Sequence, residues 1–110
     1  LDLFAGKNDH EAVKRAGAGG HKEINRTNLT TEQMEEALKK PVVARQLELL
    51  RFRSTCPAFA KESRITVNSD GNKMEFTWEN DGYQAKLMAD LKTFEFAITE
   101  TAPDGQTRRI

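Results

Sequence analysis

Few residues in this 110-residue chain carry chemistry by type alone. His10 and His21 lie in separate polar stretches. Neither has a Cys or carboxylate at metal-ligand spacing, so they read as solvated loop histidines and no metal site is predicted. Cys56 is the single cysteine and has no flanking motif, so it reads as a small buried hydrophobe. The run Ala16-Gly17-Ala18-Gly19-Gly20 lacks the Gly-Lys-Ser/Thr of a phosphate cradle and follows no strand; it reads as a mobile connector. Asn25-Arg26-Thr27 and Asn28-Leu29-Thr30 match the glycosylation tripeptide, which has meaning only in a secreted chain. The aromatics Phe76, Trp78, Phe94 and Phe96 have the chemistry to stack on sugars or bases, but alternating aromatics on a half-buried sheet are ordinarily core. The acidic residues are scattered, with no pair spaced for general acid–base work. No catalytic residue and no cofactor is assigned from these patterns.

The elements that would carry these residues divide into two periodicities. Leu38–Arg53 has the longest helical signal. Pro41 suits the first helical position, where its missing N–H costs nothing. Val43, Leu47 and Leu50 recur at helical spacing, and Val42 and Leu49 widen the stripe. Such a helix must lie on an apolar surface. Before it, Leu1–Ala5 reads as the tail of a buried strand, and Gly6–Asp9 as a turn. Asp9 is placed to cap a short helix running to Lys14. Thr30-Thr31-Glu32-Gln33 has capping-box spacing and predicts a helix from Thr31 to about Leu38.

From Arg64 the period becomes two. Ile65 and Val67, then Met74, Phe76 and Trp78, then Tyr83 to Ala89, then Phe94, Phe96 and Ile98, each alternate with polar residues. Turns are signalled at Ser69–Asn72, Asn80–Gly82 and Pro103–Gly105. Gln106–Ile110 is the expected last strand. The pattern predicts an α+β chain ending in an antiparallel meander, one face covered and one wet.

Composition narrows the function classes. Lys+Arg and Asp+Glu are both 17, so net charge is zero and gives no reason to expect nucleic acid or an anionic membrane as partner. No apolar run approaches a spanning helix. One cysteine suits a reducing, cytoplasmic setting. The start Leu-Asp-Leu-Phe, with no Met and no helix cap, reads as cut from something longer.

Three stretches occur together and in order: Gly6-Lys7-Asn8-Asp9, Ile24-Asn25-Arg26, and Leu38-Lys39-Lys40-Pro41-Val42-Val43 continuing to Phe52-Arg53. The set resembles the sucrose phosphorylase family of the α-amylase superfamily, and Phe76-Thr77-Trp78 resembles that family's C-terminal β domain. The resemblance covers about Ala5 to Trp78. It implies a (β/α)8 barrel followed by an antiparallel β domain. Residues 1–56 would be the end of the barrel domain, with Gly6–Leu29 as its last strand's long loop, and 57–110 the C-terminal domain. It further implies that Arg26 reaches the bound glucosyl unit and pairs with a carboxylate from an early barrel loop. A planar guanidinium suits that task better than an ammonium.

The reaction implied is retaining transfer of glucose from an α-glucoside to inorganic phosphate, through an aspartate nucleophile and a glutamic acid. Neither carboxylate would lie in this chain, so the chain alone would be inactive. Partners implied are the α-glucoside and phosphate, with a homodimer left open. Where sucrose phosphorylases often read Gly-Arg-Asp-Ile-Asn-Arg-His-Tyr-Tyr, this chain reads Gly20-His21-Lys22-Glu23-Ile24-Asn25-Arg26-Thr27-Asn28. The loss of aromatics after Arg26 leaves sucrose, a phosphorylated sucrose and glucosylglycerate all open. The alternative class is a non-catalytic β module whose helix stripe binds a protein or glycan partner.

Overall fold

The computed structural model describes residues 2–110. Leu1, part of the expected strand tail, lies outside them. The chain divides into two compact units, Leu1–Glu48 and Leu49–Ile110.

In the first unit, Asp2–Phe4 is a single 3-10 turn and not the end of a strand. The Ala5 N–H donates to the Asp2 carbonyl at 2.9 Å, and Ala5 has a φ of 46°. The Lys40 ammonium donates to the Phe4 and Ala5 carbonyls at 3.2 and 2.9 Å, which satisfies acceptors left over at the end of the turn. A local turn closed by one lysine thus replaces the extended reading of a short apolar run.

Helix α1 spans Ala12–Ala16, starting two residues later than its capping aspartate suggested. Helix α2 spans Thr31–Leu38 and has the expected capping box. The Gln33 N–H donates to Thr30 Oγ1 at 3.3 Å, and the Thr30 N–H donates to Gln33 Oε1 at 2.9 Å. Two orphan donors at a helix start are thereby satisfied reciprocally.

Helix α3 spans Pro41–Thr55, with Pro41 as its first residue. Its packing departs from the single stripe read in the sequence. Val43 is fully buried and Leu47 half-buried, but Val42 is 62% and Leu50 50% exposed. Burial towards the helix's end falls instead on Phe52 and, just past it, Cys56. At about 100° per residue, Val43 and Phe52 lie roughly 180° apart around the axis. Val43 and Phe52 therefore do not share one helical stripe, and each is buried within its own unit. Ser54 Oγ and Thr55 Oγ1 donate to the Leu50 and Arg51 carbonyls at 2.8 and 2.9 Å, completing the last turn before Pro57 stops it.

The second unit is a five-stranded antiparallel sheet in simple meander order: β1 Arg64–Asp70, β2 Lys73–Asn80, β3 Tyr83–Asp90, β4 Phe96–Thr101 and β5 Thr107–Arg109. The β1–β2 turn has positive φ at Gly71 only, the type II′ pattern, and the β2–β3 turn has it at both Asp81 and Gly82, the type I′ pattern. Register places Ile65, Trp78 and Ala85 in one row, and Val67, Phe76, Leu87 and Ile98 in the next. These rows form the apolar face. One end of it is covered by Phe52, Cys56 and the 3-10 turn Pro57–Phe59, whose Ala58 is fully buried, and these pack with Trp78, Ala85, Ile98 and Ile110. The rest of the face is open: Ile65 and Val67 on the edge strand β1, and Phe96 on β4, are more than half exposed.

Phe94 does not join β4 as alternation predicted. It has a φ of 62° and is 81% exposed. Asp90 directs this: its carboxylate accepts from the Lys92 and Thr93 N–H groups, and its carbonyl accepts from the Phe94 N–H at 2.8 Å. That local turn takes Phe94 out of register.

Candidate functional site

The loop from Gly6 to Leu29 is built on Asp9. The Asp9 N–H donates to the Ile24 carbonyl at 2.8 Å, joining the two ends of the loop. Its carbonyl accepts from the Ala12 N–H at 3.1 Å, and its Oδ1 accepts from the Glu11 N–H at 3.1 Å. Its Oδ2 pairs with the Arg15 guanidinium at the other end of α1. Asp9 thus serves the helix start as its residue type predicts, though from two residues outside the cap position. The Arg15 hydrogen bond holds the Asp9 carboxyl below the usual carboxylate range, so it is charged at neutral pH.

The glycine run between α1 and Ile24 is folded into tight turns. Gly17 and Gly19 take φ values of 69° and 84°, which side chains rarely adopt. Gly20 is different. A Cβ there would come within 2.7 Å of the Val13 carbonyl oxygen and 2.9 Å of Ala16 Cβ. The run is needed for close return onto α1, and composition alone had suggested only a connector. A 3-10 turn at Gly20–Glu23 follows and delivers Ile24-Asn25-Arg26.

Arg26 is exposed, with its side chain 64% accessible. Its Nη1 donates to Glu23 Oε1 at 3.2 Å, and its N–H donates to the Glu23 carbonyl at 3.1 Å. Asp9, Arg15, Glu23, Arg26 and Thr27 line one cleft of about 360 Å³. Two guanidiniums face two carboxylates there, so the cleft is polar and near neutral. It offers planar donors suited to hydroxyl and carboxylate groups. Both carboxylates of the cleft are engaged by guanidiniums, Asp9 by Arg15 and Glu23 by Arg26.

His10 and His21 are exposed, as expected of loop histidines. Cys56 is buried beneath the sheet, and burial raises its thiol's pKa, with Glu100 nearby adding to the rise. Among the described residues, no group of three His, Cys, Asp or Glu could hold a metal ion. No helix among them is long and apolar enough to cross a membrane. A larger groove of about 600 Å³ runs along the sheet, with Met74, Met88 and Phe96 in its lining and Asp70, Asp90 and Glu95 among its acidic groups. Sequence reasoning named neither this groove nor the Asp9–Arg15 pair. Helical spacing does not join Asp9 to Arg15, and a groove on a sheet depends on twist.

No family model matches the chain. It is 49% identical over 107 residues to a sucrose 6(F)-phosphate phosphorylase of Ilumatobacter coccineus, covering 97% of this chain and 20% of that protein. It is 35% identical over 111 residues to a glucosylglycerol phosphorylase of Marinobacter adhaerens, covering 100% of this chain and 22% of that one. The crystal structure of the sucrose 6F-phosphate phosphorylase from Thermoanaerobacter thermosaccharolyticum superposes with a TM-score of 0.83 at 37% identity, over 99% of this chain and 22% of that one. The chain spans about a fifth of the length of the curated relatives it matches. In sequence and in fold it corresponds to the C-terminal part of a sucrose phosphorylase-like protein.

Proposed function

We propose that this chain works as the C-terminal part of a glycoside phosphorylase that moves glucose from an α-glucoside to inorganic phosphate with retention. The observation that carries the proposal is the 49% identity over nearly the whole chain to a protein named as a sucrose 6(F)-phosphate phosphorylase. Phosphorylated sucrose is therefore the donor to test first, ahead of sucrose; the glucosylglycerol phosphorylase among the relatives adds glycerol to the acceptors worth assaying. Residues 1–56 are then the end of a (β/α)8 barrel and 57–110 its β domain. Active sites of such barrels lie on the loops at the C-terminal ends of the strands. Gly6–Leu29 would be one of these.

In this reading Arg26 binds substrate. Its guanidinium donates to hydroxyls of the glucosyl unit and faces a carboxylate supplied by the barrel, while Glu23 holds one edge of the fork. The nucleophilic aspartate and the acid–base glutamate come from the barrel, so the chain by itself is inactive. We place the parent in the cytoplasm, a reducing setting that suits the one buried thiol of this stretch.

The test is Arg26→Ala in the full-length enzyme. Loss of a charged contact to substrate should weaken transition-state binding by about 2–3 kcal/mol, a fall of roughly 30- to 150-fold in kcat/KM for phosphorolysis. Turnover within twofold of the parent would remove Arg26 from the site. The other reading, a non-catalytic β module, has the sheet groove in its favour. A full-length gene product with no barrel and no phosphorolytic activity would favour it.

A further inference from the structure

We propose that Asp9 and Arg15 are positioning residues for phosphorolysis, acting through Arg26. The inference rests on the substrate-binding role of Arg26 given above. Arg26 sits on a segment with few anchors: its side chain is exposed and its one charged partner among the described residues, Glu23, is only three residues away on the same turn. A partner so close in sequence moves with the arginine and cannot fix it relative to the rest of the loop. The anchor that can is the Asp9 N–H bond to the Ile24 carbonyl, two residues before Arg26. Asp9 is itself fixed from three sides, by the Glu11 N–H, the Ala12 N–H and the Arg15 guanidinium. The two hydrogen bonds to backbone N–H groups are local. Arg15 is the bond that fixes Asp9 against the far end of α1.

Asp9, Arg15, Glu23 and Arg26 all line the same cleft. Removing Arg15 would free the Asp9 carboxylate to compete with Glu23 for the Arg26 guanidinium. It would also loosen the loop's closure at Ile24. Arg15 is 63% and Asp9 34% exposed in their side chains, and exposed pairs contribute little to stability. The pair's effect should therefore appear in the kinetics and not in the melting temperature. Displacing a binding group by an ångström can cost up to a hundredfold in rate.

The experiment uses the full-length enzyme with sucrose 6F-phosphate and inorganic phosphate as substrates. Arg15→Ala, Arg15→Lys and Asp9→Asn are made alone, and Arg15→Ala also in the Arg26→Ala background. Arg15→Ala and Asp9→Asn should each lower kcat about tenfold, with the KM for phosphate unchanged. Arg15→Lys, which keeps the charge, should recover to within about threefold of the parent. The double variant should be no slower than Arg26→Ala, because residues acting through one group are not additive. A further tenfold loss in the double variant, or an unchanged kcat in Arg15→Ala, overturns the proposal. Normal turnover in Arg26→Ala would overturn the functional reading beneath it, so the two failures are distinguishable.

Discussion

Phe59 holds the covered end of the sheet, and its removal tests the account of the second unit. Its ring meets Phe52 edge-on with centroids 5.5 Å apart and Trp78 at a tilt with centroids 5.2 Å apart. The Arg53 guanidinium carbon lies 4.8 Å from its centroid. Three effects compete for the cost of Phe59→Ala. The two aromatic contacts are worth about 0.5–1.5 kcal/mol each beyond burial. The exposed Arg53 contact is worth about 0.5–1 kcal/mol. Lost transfer energy and the cavity dominate, since truncating a core Phe costs about 3–5 kcal/mol in all. Phe59 is only half-buried, which puts the expected loss near the low end, about 3 kcal/mol. Arg53→Ala should cost less than about 1 kcal/mol. Trp78 is the only tryptophan in the chain and touches Phe59, so urea unfolding followed by its fluorescence reports this unit directly. If Phe59→Ala costs no more than Arg53→Ala, apolar packing by the Pro57–Phe59 turn is not what secures the sheet.

Thr30→Ala should weaken α2 by about 1 kcal/mol through loss of the capping box, with Thr30→Ser close to the parent. Faster amide exchange at Gln33 in the alanine variant alone is the readout, and equal exchange in both would contradict it. The Asp9 carboxyl should titrate below the ordinary range and move back up in Arg15→Ala, as followed by carboxyl NMR. A depressed folded value means the Asp9–Arg15 contact stabilises the loop above the unfolded Asp pKa. That stability is lost as pH falls through the folded value. An unchanged Asp9 titration in Arg15→Ala would show the pair is not formed. Finally, the 110-residue chain alone should self-associate through β1, an edge strand whose Ile65 and Val67 are 59% and 53% exposed. Light scattering at about 100 μM should detect it and find less in Ile65→Lys; a strict monomer would refute it.

The sheet was legible because its determinants are local. Two-residue turns with Gly71 or with Asp81-Gly82, flanked by alternating side chains, set the pairing from a few neighbouring residues. The same rule failed at Phe94, where the side chain of Asp90 offers backbone donors a competing turn that alternation does not register. Helix α3 was legible as a helix but not in its packing. Periodicity says which residues share a side; it does not say which of them are buried, and Val42 and Leu50 of the stripe stay exposed while Phe52 outside it is buried.

The site is the harder case, and the reason is physical. Arg26 has no pattern of its own: an arginine in a polar loop is ordinary, and only its Ile-Asn-Arg context within an ordered set of segments singled it out. Asp9 was read as the cap of a helix running to Lys14, but Glu11 takes the cap position, and the Asp9 carboxylate accepts from the Glu11 N–H instead. Its bond to Ile24 spans fifteen residues and runs through the backbone, so no side-chain type announces it. Gly20 is the one indirect signal. A glycine with a φ outside the left-handed region is not there for its turn, and here a Cβ would strike Val13 and Ala16. The segment that folds back on α1 there is the one that brings Ile24 to Asp9. A glycine run between a short helix and an arginine proposed to bind substrate is therefore better read as a close-packing constraint than as slack, because slack would leave the arginine unplaced.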